Sequence, residues 1–206
     1  MKRTVLLILL LVFFLADLYF VGSHQENFRF FTKIMLLPLL TLYYVLEVKS
    51  QKMKPNTWFV AGLVFSFFGD LFLLFKWGFL LGLGSFLLAH VFYVICFIKL
   101  KIKNAWGFLP FIIAYLLGLF CYLFPHLDEM KIPVILYGIV ISAMLFTSLR
   151  TGKSLLIVSA LLFVISDSIL SISLFVNSNV VLQLLVMLTY VAAQFLLVLG
   201  MLKSTK

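Results

Sequence analysis

The chain has 206 residues, of which 65% are hydrophobic and 11% are charged, and its formal net charge is +9. Soluble domains are about 45–50% apolar and about 25% charged, so this composition excludes a water-soluble fold. The Lys and Arg residues lie between the apolar runs, which favours a role in membrane topology and lipid headgroup contact over nucleic-acid binding.

Eight apolar runs follow one another along the chain, and each is long enough to cross a bilayer as an α-helix, which takes about 20 residues. A helix satisfies its own backbone hydrogen bonds, which lipid cannot do. The sequence therefore predicts an all-α integral membrane protein in which residues 1–206 form a single eight-span transmembrane domain. The predicted spans are approximately 4–22, 30–48, 57–75, 78–98, 105–124, 132–149, 154–175 and 179–202.

The first run follows Lys2-Arg3, as the apolar region of a signal peptide does. It lacks a clear small-x-small cleavage site, however, and continues past Asp17, so we expect a retained first span.

The positive charges predict the orientation of the spans, because cytoplasmic loops carry an excess of Lys and Arg. An even number of spans places twelve of these residues on the side of both termini and four on the other side. Both termini are therefore predicted to be cytoplasmic. The twelve are Lys2, Arg3, Lys49, Lys52, Lys54, Lys99, Lys101, Lys103, Arg150, Lys153, Lys203 and Lys206, and the four are Arg29, Lys33, Lys76 and Lys131.

Several ionisable residues fall inside the predicted spans. Asp17, Asp70, Asp167 and His90 lie within apolar runs, and Lys33 lies near the start of the second span. A charge at bilayer depth costs several kcal/mol unless it faces the protein interior or water, so such residues are candidates for function. The alternative is a structural hydrogen bond between helices.

Asp70 and Asp167 share a local pattern. Each follows a small residue, precedes a leucine by three residues and lies 23 residues before a tyrosine, Tyr93 or Tyr190. Both lie in the outer half of a span that runs outward. The pattern predicts two parallel four-helix repeats, spans one to four and five to eight, with equivalent residues at similar depth.

Helical spacing gives four of the spans a polar stripe on one face. The stripes predict that these spans line one internal polar cavity, and the alternative is a set of separate polar contacts between pairs of helices. The stripes are Gly62, Ser66 and Asp70; Gly82, Phe86, His90 and Tyr93; Ser159, Phe163, Ser166, Asp167 and Ser171; and Gln183, Met187, Tyr190 and Gln194.

Two carboxyl groups in a low-dielectric cavity should not both ionise easily, so one would be protonated and the other ionised. That division is the one used to cleave acetals and related bonds. The sequence contains no Gly-x-Ser-x-Gly elbow, no His-Glu-x-x-His motif and no phosphate-binding glycine loop. It therefore favours metal-free acid–base chemistry, if the protein is an enzyme.

At these residues the chain resembles the YhhN family of lysoplasmalogenases. The resemblance runs in order through nearly the whole sequence. Its elements are Lys33 and Pro38, the Phe-Ser-x-x-Gly-Asp-x-x-Leu of 65–73, Phe79-x-x-Gly82, Phe86-x-x-x-His90-x-x-Tyr93, Pro133 and Tyr137, Phe163-x-x-Ser166-Asp167, and Tyr190-x-x-x-Gln194. Ile34 stands where the family often has proline.

The resemblance implies an eight-span hydrolase that cleaves the vinyl ether of a lysoplasmalogen. The missing motifs lead us to expect neither a cofactor nor a metal. The products would be a fatty aldehyde and glycerophosphocholine or glycerophosphoethanolamine. Asp70 and Asp167 would be the catalytic acid and base, with the assignment between them open. The residues expected to bind or orient the substrate are Lys33, Ser66, His90, Tyr93, Tyr137, Ser166, Tyr190 and Gln194, with Asp17 a structural partner of Lys33.

Two other functions stay open on the residues alone. One is a proton-coupled transporter that relays protons through the same aspartates, although the spans have few of the Gly and Pro interruptions that broken-helix transporters use. The other is a structural or sensory membrane protein. The short loops favour a bacterial inner membrane, with the endoplasmic reticulum as the alternative.

Overall fold

The computed structural model describes residues 2–100 and 102–204, and over these residues the fold is all helical, as predicted. Lys101 and Lys206, which contribute to the predicted charge bias, lie outside the described residues. Short 3-10 turns flank several of the helices. The eight α-helices are α1 (Lys2–Gly22), α2 (Glu26–Ser50), α3 (Thr57–Phe72), α4 (Phe79–Ile98), α5 (Leu109–Leu123), α6 (Lys131–Thr151), α7 (Ser154–Phe175) and α8 (Val180–Ser204).

Local side-chain chemistry explains several helix ends. The Asn56 side chain accepts a hydrogen bond from the Phe59 amide (3.1 Å) and so caps the start of α3. Asn179 does the same for α8, where it accepts from the Leu182 amide (2.8 Å). Helix α6 ends at Gly152, whose φ of +63° is a left-handed conformation that glycine adopts without strain.

Seven of the helices described are long and apolar enough to cross a membrane, and α3 is shorter. Its 16 residues cover about 24 Å at 1.5 Å per residue, against a hydrocarbon core of about 30 Å. It ends at Phe72 rather than at the predicted residue 75, because the chain turns back tightly there. A Cβ atom on Gly78 would lie 2.2 Å from the Phe72 carbonyl oxygen. Eight crossings and the orientation of the termini stay predictions.

The chain divides into two compact units, with the boundary between Cys96 and Phe97 near the end of α4. The first unit contains α1 to α4. Its core includes Tyr44 of α2 and Phe59 of α3, whose ring centroids are 4.7 Å apart. Helices α3 and α4 touch at Gly62, where an added Cβ would lie 2.3 Å from the Tyr93 ring. Glycine on this face is therefore required by close packing.

The second unit contains α5 to α8, and α7 packs along α8. The Ser159 hydroxyl donates a hydrogen bond to the Ala193 carbonyl of α8 (2.8 Å). Further along the same contact, an added Cβ on Gly200 would lie 2.5 Å from the Leu156 side chain. Small and hydroxyl-bearing residues thus bring these two helices together, as they do in membrane helix pairs generally.

Helices α1 and α5 leave most of their apolar surface uncovered within the molecule. Leu15 of α1 is 55% exposed and Phe111 of α5 is 74% exposed. Contiguous apolar surface of this kind marks a membrane or a binding surface. The helices that carry it are among the seven whose length and composition suit a membrane crossing.

Candidate active-site residues

Asp70 lies in the interior of the first unit and forms an ion pair with Lys33. The Lys33 Nζ atom, on α2, is 3.5 Å from Asp70 Oδ1 on α3. Asp70 is 2% exposed and Lys33 is 9% exposed, so both groups are buried. Buried charges are tolerated when they are paired, and this pair satisfies that condition. The structure therefore assigns Lys33 a direct partner among the predicted site residues.

Ser66, His90 and Tyr93 are also buried in the first unit. Ser66 lies one turn before Asp70 on α3, and its hydroxyl is 3.1 Å from the hydroxyl of Tyr93 on α4. The His90 ring lies beside the Tyr93 ring, with 6.3 Å between their centroids. The polar stripes of α3 and α4 thus face each other.

Asp17 is fully buried between α1 and α2, where it interacts electrostatically with Arg29 and with its expected partner Lys33 but takes its hydrogen bond from Thr32. The Thr32 hydroxyl donates to Asp17 Oδ1 (3.0 Å), whereas the ammonium group of the adjacent Lys33 pairs with Asp70. Thr32 and Lys33 are consecutive on α2, so they point in directions about 100° apart. Thr32, the neighbour of Lys33 on α2, is therefore the residue that forms the hydrogen bond to Asp17.

Asp167 lies on α7 in the second unit and is partly exposed. The hydroxyl of Tyr137, on α6, donates a hydrogen bond to Asp167 Oδ2. Both residues line a half-open groove of about 30 Å³ between α5, α6 and α7. That volume is enough for a water molecule beside the carboxyl group. The walls of the groove are mostly apolar and include Leu116, Phe120 and Val164.

The other predicted residues of the second unit mainly connect helices. The Ser166 hydroxyl donates to the Val186 carbonyl of α8 (3.2 Å). On α8, the Gln194 side-chain amide donates to the Tyr190 hydroxyl (3.4 Å). Tyr190 and Gln194 are both buried. The Ser166 hydrogen bond holds α7 against α8, whereas the Gln194–Tyr190 hydrogen bond lies within α8.

Sequence reasoning missed two polar residues of the Asp167 groove, and one charged residue of the first unit. Tyr115 of α5 and Ser168 of α7 join their hydroxyl groups at 2.8 Å in the wall of the groove. The available signal is that Tyr115 is one of two tyrosines in the apolar run of α5, and Tyr115 is the one near its middle. The third residue, Arg29, was counted as a loop charge because the predicted span began at residue 30, whereas α2 begins at Glu26.

The two aspartates are thus held in chemically different settings. A carboxylate beside an ammonium group is suited to accept a proton, and a carboxyl group beside a phenol is suited to exchange one with a neighbouring ligand. Among the described residues, no group of three or more His, Cys, Asp or Glu side chains is placed to hold a metal ion.

Comparison with known proteins decides the family. The YhhN family profile matches residues 28–201, which contain every predicted site residue. The chain belongs to the YhhN family. No solved structure matches it significantly.

Three curated relatives illustrate the similarity. The chain is 36% identical to the protein named lysoplasmalogenase TMEM86B of Mus musculus over 151 residues, which are 72% of this chain and 66% of that protein. It is 34% identical to the lysoplasmalogenase of Mycobacterium tuberculosis over 159 residues, which are 71% of this chain and 61% of that protein. It is 33% identical to the lysoplasmalogenase TMEM86B of Homo sapiens over 172 residues, which are 83% of this chain and 75% of that protein. The matches therefore span less than two thirds of the mouse and mycobacterial proteins.

Proposed function

We propose that this protein is a membrane hydrolase of the lysoplasmalogenase type, which adds water across the vinyl ether of a lysoplasmalogen. The products are a fatty aldehyde and glycerophosphocholine or glycerophosphoethanolamine. The observation that carries the proposal is family membership together with relatives from mammals and mycobacteria that are named lysoplasmalogenase. The carboxyl groups of Asp70, which is buried, and Asp167, which is partly exposed, supply acid–base groups for the reaction without a metal.

The partners of the two aspartates support a division of roles. An ammonium group 3.5 Å away stabilises a carboxylate, so Asp70 is assigned as the base. Asp167 is then the acid. The Tyr137 hydroxyl would stabilise the carboxylate that remains on Asp167 after its proton has left.

The reaction then runs in three steps. Asp167 transfers its proton to the vinyl carbon farther from the ether oxygen, and this leaves an oxocarbenium ion. Asp70 takes a proton from a water molecule as the water oxygen bonds to the cationic carbon, which gives a hemiacetal. The hemiacetal loses its hydroxyl proton to Asp167 as the glycerol oxygen leaves with the proton held by Asp70, so both carboxyl groups return to their starting states.

The proposal is tested by mass spectrometry of a lipid panel incubated with the purified protein. Aldehyde release from lysoplasmenyl lipids is expected, and Asp70→Asn and Asp167→Asn should each lower it at least 100-fold, because one acid or base group contributes about 10²–10⁴ in rate. Asp128→Asn is the matched control, since Asp128 is exposed and its positive φ suits asparagine.

Wild-type turnover by both Asp70→Asn and Asp167→Asn, with folded protein, would contradict the proposal. Proton-coupled flux in proteoliposomes that depends on Asp70, with no lipid breakdown, would instead establish the transporter function.

A further inference from the structure

An open pocket in the first unit lies one helical turn from the Lys33–Asp70 pair. Its volume is about 490 Å³, within the usual range for small-molecule sites. The described residues that line it come from the start of α2 and from the turn after α3. They are Asn27, Arg29, Phe30, Phe31, Leu73 and Leu74.

Arg29 is the charged residue among these lining side chains. Its Nε atom is buried and has no hydrogen-bond partner among the described residues. Arg29 interacts electrostatically with the buried Asp17 of α1. Neither of the ion pairs Arg3–Glu47 and Lys33–Asp70 uses Arg29. A guanidinium group presents its donors in a planar fork that matches a phosphate group. The pocket therefore offers an anion a guanidinium group whose Nε donor has no hydrogen-bond partner among the described residues.

The spacing along two helices fixes the depth of the pocket relative to Asp70. Arg29 precedes Lys33 by four residues on α2, which is about 6 Å along one helical face. Leu73 follows Asp70 by three residues on α3, which is about 4.5 Å. The pocket thus lies about one turn from the ion pair, toward the start of α2 and toward the end of α3.

A lysoplasmalogen has the same spacing between its phosphate and its reactive bond. Six bonds, through the glycerol carbons and the ether oxygen, join the phosphorus to the first vinyl carbon. With bonds of about 1.5 Å and tetrahedral bond angles, the extended chain spans about 7 Å. A phosphate held by Arg29 would therefore place the vinyl ether at the depth of Asp70. The Phe30 and Phe31 rings in the same pocket suit the ammonium end of the headgroup.

We infer that this pocket is the headgroup subsite and that Arg29 binds the phosphodiester of the lysophospholipid, an inference that rests on the hydrolase function proposed above. Lys33, which is also expected to bind or orient the substrate, forms an ion pair with Asp70. The pocket makes the enzyme specific for vinyl ethers that carry a phosphate.

Two pairs of ligands test this subsite. For turnover, the pair is lysoplasmenylethanolamine and 1-alkenylglycerol, which has the same vinyl ether without the phosphate. For binding, the pair is the alkyl analogues of both, which have no vinyl group to cleave. Arg29→Gln should raise KM for the phospholipid, and weaken binding of its alkyl analogue, by about 10- to 100-fold, the effect of removing a charged hydrogen-bond partner. The kcat value and both measurements on the glycerol compounds should change less than about threefold, because the lost contact is made equally before and during the reaction.

Arg29→Lys should retain part of the affinity, since it keeps the charge and loses the fork. Lys76→Gln is the control, because Lys76 is an exposed cation near the same end of α3 and is not among the lining residues. The subsite would be overturned if Arg29→Gln weakened binding of the ligands with and without phosphate equally. Unchanged affinity of this variant for the alkyl phospholipid would also overturn it. Absence of aldehyde release by the wild-type protein would overturn the hydrolase function instead, and the binding measurements would still decide the role of Arg29.

Discussion

The surroundings of Asp70 in the first unit differ from those of Asp167 in the second in both charge and exposure. Asp70 is 2% exposed and faces an ammonium group at 3.5 Å, whereas Asp167 is partly exposed in a groove and accepts a hydrogen bond from a phenol. The local sequences of the two aspartates are similar. The difference therefore comes from the partners supplied by other helices, Lys33 on α2 and Tyr137 on α6.

The tyrosines that follow the aspartates also have hydrogen-bond contacts in different places. Tyr93 contacts Ser66, one turn before Asp70 on the neighbouring helix, whereas Tyr190 accepts from Gln194 on its own helix. The offset of 97 residues that aligns Asp70 with Asp167 places Met130 in the position of Lys33. The repeat thus stays a prediction. If the two halves are repeats, they have diverged at the position of Lys33, the residue that supplies the positive charge beside Asp70.

The largest expected stability effect comes from breaking the Lys33–Asp70 pair. Lys33→Met leaves the Asp70 charge buried without its ammonium partner, which should lower the free energy of unfolding by about 3–5 kcal/mol. The double variant Lys33→Met/Asp70→Asn removes both charges and should recover much of this loss. Denaturant unfolding in detergent measures both, and equal instability of the single and double variants would show that the pair is not what stabilises this region.

A smaller effect is expected for the phenol of the second unit. Tyr137→Phe removes one hydrogen bond to a carboxyl group and should cost about 1.5–3 kcal/mol of transition-state stabilisation, or about 10- to 100-fold in kcat/KM for aldehyde release. Tyr122→Phe, at an exposed position of α5, is the matched control. Similar activity of the two variants would remove Tyr137 from the site.

The smallest expected effect compares glycines of the two units. Gly62→Ala pushes a methyl group into the Tyr93 ring and should cost about 1–3 kcal/mol of stability. Gly118→Ala on α5 adds a methyl group with no atom within 4 Å, so it should be neutral or stabilising by up to about 1 kcal/mol. Thermal unfolding of the two variants distinguishes these outcomes, and equal melting temperatures would contradict the close packing of α3 on α4.

The positions of the eight helices could be predicted from the sequence because the apolar runs and the polar breaks between them set each helix locally. The partners of the aspartates were harder to predict. Lys33 and Asp70 are 37 residues apart, and their contact depends on how α2 packs against α3. The hydropathy pattern predicts a loop at Arg29, because hydropathy marks where a helix enters lipid, whereas α2 begins at Glu26, four residues before the predicted span.

The account assigns Asp70 as the base and Asp167 as the acid, and turnover of lysoplasmenyl lipid in D₂O tests that assignment most directly. The wild-type protein should release an aldehyde with one deuterium on the carbon next to the carbonyl. With Asp70→Asn, protonation by Asp167 still occurs and reverses, so recovered lipid should gain deuterium at that vinyl carbon. With Asp167→Asn, recovered lipid should gain none. Deuterium uptake with Asp167→Asn and its absence with Asp70→Asn would contradict the account.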